Sequence, residues 1–479
     1  MFWGTATGIT SSNPAITSIS TNSYTHTGRD NGTSYYYKVA AVNSAGTGTL
    51  SSEVNAATPL SAPANLSATS AFQQVSLAWD NVSGATSYTL YWDNSTGVSS
   101  SSTDNTSVST NSYTHSSLSG GATYYYKVAA VNSSGTGTLT SEVNATAGAT
   151  QLMGGSMQGT ALNLTPTVTI LAGSAGNAGT VDDNGTAAEF DRPFGITTDG
   201  TNLYVTDFTS GKIRQVVIST GVVSTLAGSG FSQPWAITTD GTNLYVADSG
   251  NNLIRKIVIS TGVVTTLAGA GGTGACVDND NGSLAKFSKP QGITTDGTNL
   301  YVADRSCQLI RKIVISTGAV TTLAGSGIKG DDDNETGTLA KFDGPAGITT
   351  DGNNLYVTQV GDGKHSIRKI VISTGVVTTL AGGSVGTTDA TGTAAKFSSP
   401  YGITTDGTNL YVMDYGNNRI RMIVIDNASV STLAGSDSGP AVDNTTGALA
   451  KFNSPFAITT DGTYLYVPDS YNHVIRKIQ

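Results

Sequence analysis

From residue 193 to the end of the chain, hydrophobic and polar positions alternate in short runs separated by polar turns, and one pattern recurs six times. In its second occurrence, Trp235-Ala236-Ile237-Thr238-Thr239 stops at Asp240-Gly241, and Leu244-Tyr245-Val246-Ala247-Asp248 follows. The turn Ser249-Gly250-Asn251-Asn252 then leads into Leu253-Ile254-Arg255-Lys256-Ile257-Val258-Ile259, and Ser260-Thr261-Gly262 into Val263-Val264-Thr265-Thr266-Leu267. Runs of this length, rich in β-branched and aromatic residues, predict strands. Asp-Gly between two of them predicts a tight hairpin, because Gly accepts the positive φ that such turns require. Each repeat therefore predicts four antiparallel strands.

The turn aspartates Asp199, Asp240, Asp296, Asp351, Asp406 and Asp461 are spaced by 41, 56, 55, 55 and 55 residues. A period of this size built from short strands predicts a β-propeller with one blade per repeat. The chain stops at Ile478-Gln479, after the third strand of the sixth repeat, while Val168-Thr169-Ile170-Leu171-Ala172-Gly173 matches the fourth-strand endings elsewhere. Residues 166–173 are therefore expected to pair with the last repeat and close the ring, leaving no unpaired inner edge. The expectation is an all-β chain with a six-bladed propeller over residues 166–479.

The blades resemble the NHL-repeat family in Gln291-Gly292-Ile293, Leu300-Tyr301-Val302-Ala303-Asp304 and Asn417-Asn418-Arg419-Ile420-Arg421. The inter-blade stretches at residues 282–287 and 337–342 fit as well. The resemblance spans roughly residues 166–479 and implies the same six-bladed ring.

Residues 61–147 resemble a fibronectin type III domain in Pro63, Leu66, Val75, Leu77, Trp79, Tyr88, Leu90 and Trp92. Period-2 alternation places Tyr124, Tyr126, Val128 and Ala130 on one core face. The stretch from Tyr35 to Asn43 repeats that from Tyr124 to Asn132 at an offset of 89 residues, which sets Phe2-Trp3 on Tyr91-Trp92. Residues 1–57 thus read as a truncated copy whose first two strands lie upstream of Met1. They are expected to pack poorly or to borrow strands, and their exposed edges are free to pair between chains. Residues 148–165 read as a linker.

A net charge of −9, with no basic stripe, argues against nucleic acid as a partner. No apolar run of about 18 residues exists to span a membrane. Polar, weakly charged loops with tandem sandwiches suggest a secreted or bacterial cell-surface protein, with the ring itself monomeric. Cys276 and Cys307 fall in loops expected on one face of the third blade. A disulfide suited to an oxidising compartment and a pair of free thiols both fit.

Residues repeated in every blade read as structural, so function is sought where blades differ. The residue after each blade's proline is Phe194, Trp235, Gln291, Ala346, Tyr401 or Phe456. In six-bladed relatives this position rims the central channel, so these side chains form either a hydrophobic plug or a shallow pocket that stacks a ligand. Lactonase- and paraoxonase-like propellers hold a catalytic calcium with Asn or Asp there, and this chain offers neither. The loop before the second blade, residues 229–233, is 14 or 15 residues shorter than its counterparts. It is either drift or a notch beside Trp235. The fourth blade carries two extra residues in the turn that holds Asp362, Lys364 and His365, and His473 stands in the last blade's turn. The two histidines and Asp362 are solvated turn residues or the only candidates for a general base or transition-metal ligand. Acidic loops containing Asp278, Asp280, Asp331 and Asp333 form either a solvated rim or a calcium site.

The function expected is binding of a glycan, protein or small-molecule ligand by an extracellular ring, with the sandwiches as spacers. The alternative is a metal-assisted hydrolase of lactone, aryl-ester, phosphotriester or sulfate-ester substrates at the channel mouth. An adhesin with a purely structural ring is a third reading.

Overall fold

The computed structural model describes the chain except residues 72–73, 103–104, 116–117, 119–121, 134, 147–160, 165, 273–275, 437, 442 and 445. It divides into two compact units, Met1–Ala149 and Thr150–Gln479. Most of the expected linker lies outside the described residues. Its described part, residues 161–164, does not behave as a free tether: Leu162 and Leu164 pack against the core between the fifth and sixth sheets. The Leu162 amide also donates to Asp406 Oδ2 at 3.0 Å.

In the first unit, a sheet of Ser67–Ala71, Gln74–Ala78 and Ser112–His115 shares one core with a sheet built on Ser87–Asp93 and Thr123–Asn132. Val75, Leu77, Trp79, Leu90, Tyr126 and Val128 fill it. The upstream copy forms a three-stranded sheet of Phe2–Gly4, Ser34–Lys38 and Val54–Ala57. It keeps the local contacts of its twin. His26 Nδ1 lies 3.3 Å from Tyr37 Oη, and His115 Nδ1 lies 3.2 Å from Tyr126 Oη. Burial differs, because among the described residues no second sheet shares a core with it: Val39 is 53 % exposed, whereas Val128, its counterpart, is fully buried.

The second unit holds six four-stranded antiparallel sheets among the described residues. The first comprises Pro193–Thr198, Asn202–Asp207, Lys212–Val217 and Val223–Ala227, and the next four, within residues 234–268, 290–324, 345–382 and 400–434, repeat its order. The sixth takes Thr459–Thr460, Leu465–Asp469 and Val474–Ile478 from the end of the chain and its outer strand, Val168–Ala172, from ahead of the first sheet. Val168 pairs with Ile478 and Ile170 with Arg476. The first strands of successive sheets lie side by side, and the first sheet returns to the sixth. Six isoleucines, Ile196, Ile237, Ile293, Ile348, Ile403 and Ile458, meet around one small cavity of about 50 Å³ on the axis.

Repeated residues hold each sheet. In the first, Asp199 Oδ1 accepts the Asn202 amide at 2.6 Å, and Tyr204 Oη donates to Asp199 Oδ2 at 2.7 Å. The third-strand arginines Arg214, Arg311, Arg368, Arg421 and Arg476 are fully buried. Arg311 meets buried Asp304 at 3.1 Å and, at 2.5 Å, the half-exposed Asp278 of the loop that precedes its sheet. That loop is thereby strapped over the outer strand, since Asp278 Oδ2 also accepts the Thr322 amide at 2.9 Å. Asp182, Asp333 and Asp389 make the same clasp on Arg214, Arg368 and Arg421. Burial opposes ionisation of Asp182, but the Arg214 guanidinium and the Thr225 hydrogen bonds outweigh it and hold the carboxyl below its ordinary value. Deeper in the sheet burial wins, and the Asp207, Asp304 and Asp469 carboxyls are pushed up to about 6.

Candidate functional site

Each of the six junctions between sheets places a residue with positive φ just before the next sheet's proline. These are Arg192, Gln233, Lys289, Gly344, Ser399 and Ser454, with φ between 49° and 61°. At five junctions a side chain from the preceding sheet accepts that residue's amide. Asn252 Oδ1 takes Lys289 at 2.7 Å, Gln308 Oε1 takes Gly344 at 2.8 Å, and Asn418 Oδ1 takes Ser454 at 3.1 Å. His365 Nδ1 takes Ser399 at 3.1 Å, and His473 Nδ1 takes Arg192 at 3.3 Å.

Both histidines therefore stand in a slot filled elsewhere by Asn or Gln. His365 is not a solvated turn residue; it lies in the strand Lys364–Val371 and is only 8 % exposed. The two-residue insertion lies ahead of it, in the hairpin where Val360 pairs with His365. His365 and His473 sit at separate junctions, and the Nδ1 lone pair of each is engaged by a backbone amide. Asp362 is exposed and pairs with Lys329.

The sixth junction departs from this pattern. Gly211 occupies the slot and has no side chain to offer to Gln233. Its φ of +66° and the Phe231 carbonyl, 2.8 Å from where a Cβ would stand, keep the position tight. The short loop 229–233 also lacks the acidic strap. Arg255 keeps buried Asp248 at 3.4 Å, takes the Gly230 carbonyl at 3.1 Å in place of a loop carboxylate, and is 16 % exposed. The surface opens here into two hollows that meet at Gln233. One, of about 330 Å³, is bounded by Arg192, Phe208, Gly211 and Phe231. The other, of about 620 Å³, runs from there over the second sheet to its tied junction with the third, and is bounded by Trp235, Asn252, Lys289, Gln291 and Arg305.

The residues after the prolines converge on the axis. Phe194 stacks on Phe456 at 3.9 Å between ring centroids, and Trp235 meets Phe194 edge-on at 5.1 Å. Tyr401 lies 5.2 Å from Phe456. The cavity they enclose with Ala346 is only about 40 Å³, room for a few waters at most. These rings mainly pack against one another, and Trp235 alone of them also walls the larger hollow. Gln291, 3 % exposed, accepts from Arg305 Nη1 at 3.2 Å.

A second set of positions joins this hub that sequence reasoning passed over: the residue after the Asp, or Gln359 in the fourth sheet, toward the end of each second strand. Phe208 stacks on Phe194 at 4.2 Å, Tyr415 lies 4.4 Å from Phe456, and Arg305 reaches Gln291 and Tyr401. The available signal was variability (Phe208, Ser249, Arg305, Val360, Tyr415 and Ser470) directly after an otherwise repeated Asp.

The acidic candidates do not come together. Asp278 and Asp333 are committed to Arg311 and Arg368, Asp331 pairs with Lys364 at 2.9 Å, and Asp280 is exposed. Among the described residues no group of three His, Cys, Asp or Glu is placed to hold a metal. Cys276 and Cys307 form a disulfide with Cα atoms 5.9 Å apart, pinning the third sheet's loop beside the larger hollow's wall at Arg305 and Ser306.

No family model matches the chain. It is similar to NHL repeat-containing protein 2 of Gallus gallus, 31% identical over 232 residues, covering 41% of this chain and 32% of that protein. The Homo sapiens protein of the same name is 28% identical over 231 residues, again 41% of this chain and 32% of its own length. The chain thus spans about a third of the length of these relatives. A Bacteroides thetaiotaomicron protein of unknown function superposes with a TM-score of 0.53 at 19% identity, covering 86% of this chain and 97% of that one. An auxiliary nutrient binding protein from the same organism does so with a TM-score of 0.52 at 17% identity, covering 88% and 97%. At these identities the likeness is one of fold. The repeats and their four-stranded sheets fit an NHL β-propeller.

Proposed function

We propose that the six sheets are the blades of a closed propeller over residues 166–479, and that this propeller binds a glycan in the larger hollow, which runs over the second blade from Gln233 to Arg305 of the third. The observation that carries this reading is the break in the repeat. Beside the one untied junction, at Gln233, begins a hollow of about 620 Å³ walled by Trp235, a size within the range of small-ligand sites. An indole face beside polar side chains is a stacking platform for a pyranose ring. In this reading the first unit consists of a truncated and a complete fibronectin type III-like domain, residues 1–57 and 61–147, acting as spacers for a secreted or cell-surface protein. A structural neighbour described as a nutrient binding protein accords with a binding role. Both candidate histidines accept backbone amides, which commits the Nδ1 of each to its junction and disfavours the hydrolase alternative.

Screening the full chain on an array of neutral, carboxylated and sulfated glycans tests this. Binding is expected and should fall at least tenfold in Trp235→Ala, measured at a temperature where the variant is folded. A Trp235→Ala chain that binds as tightly as the parent would place the ligand elsewhere.

A further inference from the structure

The two hollows that meet at Gln233 are lined with cations on a chain whose net charge is −9. Lys289 and Arg305 face the larger one, Arg192 faces the smaller, and no carboxylate lines either. It is the lining that sets these hollows apart, since cations such as Lys212, Lys256 and Arg419 also have no ion pair among the described residues. Elsewhere in the ring, Arg214, Arg255, Arg311, Arg368, Arg421 and Arg476 each pair with an aspartate, as do Lys329, Lys341 and Lys364. Arg192, Lys289 and Arg305 have no carboxylate partner among the described residues. Arg192 instead lies over the Tyr471 ring at 4.3 Å.

Arg305 is also held in position. Its Nη1 donates to Gln291 Oε1 at 3.2 Å and to Tyr401 Oη at 3.4 Å, and Gln291 is buried beneath it. The disulfide at Cys307 anchors the short turn Arg305–Cys307 that carries the arginine. Nε and Nη2 make no hydrogen bond to protein among the described residues. A guanidinium with one edge fixed and another free presents paired donors, the geometry a carboxylate takes up in two parallel hydrogen bonds. Trp235, on the same wall, offers an apolar face.

From this we infer that the site selects an acidic sugar: a pyranose stacked on Trp235 with its carboxylate received by Arg305 and assisted by Lys289. Gln291 is then a positioning residue, acting through Arg305. The inference rests on reading this hollow as the ligand site, and it adds the charge class of the ligand.

Titration calorimetry of the full chain with trigalacturonate, its fully methyl-esterified form and inorganic sulfate, alongside the glycan array, tests it. The acid should bind at least tenfold more tightly than the ester, which keeps the rings and removes the charge. Sulfate alone should bind weakly or not at all. Arg305→Gln should abolish the difference between acid and ester, with binding of the ester showing that the hollow is still formed. Gln291→Ala should weaken only the acid, and Gln291→Glu, which pairs internally with Arg305, should weaken it further. Should array hits be carboxylated glycans other than galacturonate, the same acid-to-ester comparison is made on the hit. Equal affinity for acid and ester, or hits confined to neutral or sulfated glycans, overturns the inference while leaving a glycan-binding propeller intact. Absence of any glycan hit at millimolar concentration overturns both.

Discussion

The second sheet and the third have nearly the same strands and different surroundings. Both run through Asn-Leu-Tyr-Val-Ala-Asp and Leu-Ile-Arg-Lys-Ile-Val. The third is preceded by a long loop strapped to its arginine by Asp278 and pinned by a disulfide. The second is preceded by five residues, no acid and a glycine at the junction. With strands this alike, a sheet's stability is set by what clasps its outer edge, and its openness to ligand by what the clasp leaves out.

Replacing the equivalent arginines should show this most strongly. Arg311→Ala leaves the Asp304 carboxyl buried without its cation, with the Ser288 amide still donating to it, and frees Asp278. A loss of about 3–5 kcal/mol is expected, as for breaking a buried ion pair from one side. Arg255→Ala removes a partly exposed cation with one acid and should cost about 1–2 kcal/mol. Chemical denaturation of the two variants makes the comparison, and equal losses would break it. Next comes the disulfide, which closes a separation of 31 residues. Cys276→Ser/Cys307→Ser should lower stability by about 2–4 kcal/mol. It should also weaken ligand binding at the neighbouring wall, read by denaturation and calorimetry together.

A smaller effect separates structural from chemical roles for the histidines. His473→Ala strips the Arg192 amide of its acceptor and should cost about 1 kcal/mol, whereas His473→Asn, the residue used at two other junctions, should restore it. If Asn fails to restore stability, the slot is not the shared amide acceptor described above. The smallest change is with pH. The Asp207, Asp304 and Asp469 carboxyls, raised to about 6 by burial, bind protons more readily folded than unfolded. Acidification from pH 7 to about pH 5 therefore favours the fold through these groups. Asp182 and Asp296 are lowered instead. Burial works against both, but hydrogen bonds, from Arg214 and Thr225 to Asp182 and from Asn299 and Tyr301 to Asp296, prevail. What they contribute is lost as pH falls below the ordinary carboxylate range. The ring's thermal midpoint should rise by a few degrees between pH 7 and pH 5 and fall by pH 3.

Much of the fold was legible because a repeat signals itself many times over. The Asp-Gly turns, the Leu-Tyr-Val strands and the stray strand ahead of Pro193 are local patterns, readable one element at a time. The convergence of Phe194, Trp235, Tyr401 and Phe456 came from register alone. Phe208, Arg305 and Tyr415 went unread because they follow the second strand, and only the twist of each sheet turns that position toward the axis. The acidic loops resembled a cation site because linear spacing cannot show that Arg311 and Arg368, 33 and 35 residues on, take up Asp278 and Asp333.

The two copies in the first unit mark the same boundary. Their sequences dictate the same pairing, Phe2 with Lys38 as Tyr91 with Lys127, because register depends on neighbours within one sheet, and the same His–Tyr contact recurs. Whether Val39 is covered like Val128 depends on a second sheet, which no pattern within its own strand can supply. By itself, then, the sequence determined strand order, turn chemistry and the number of repeats, all set by short-range periodicity and backbone sterics. The tertiary structure decided which carboxylates serve arginines, which histidines serve amides and where the ring stays open, because burial and partner choice arise only when residues distant along the chain meet.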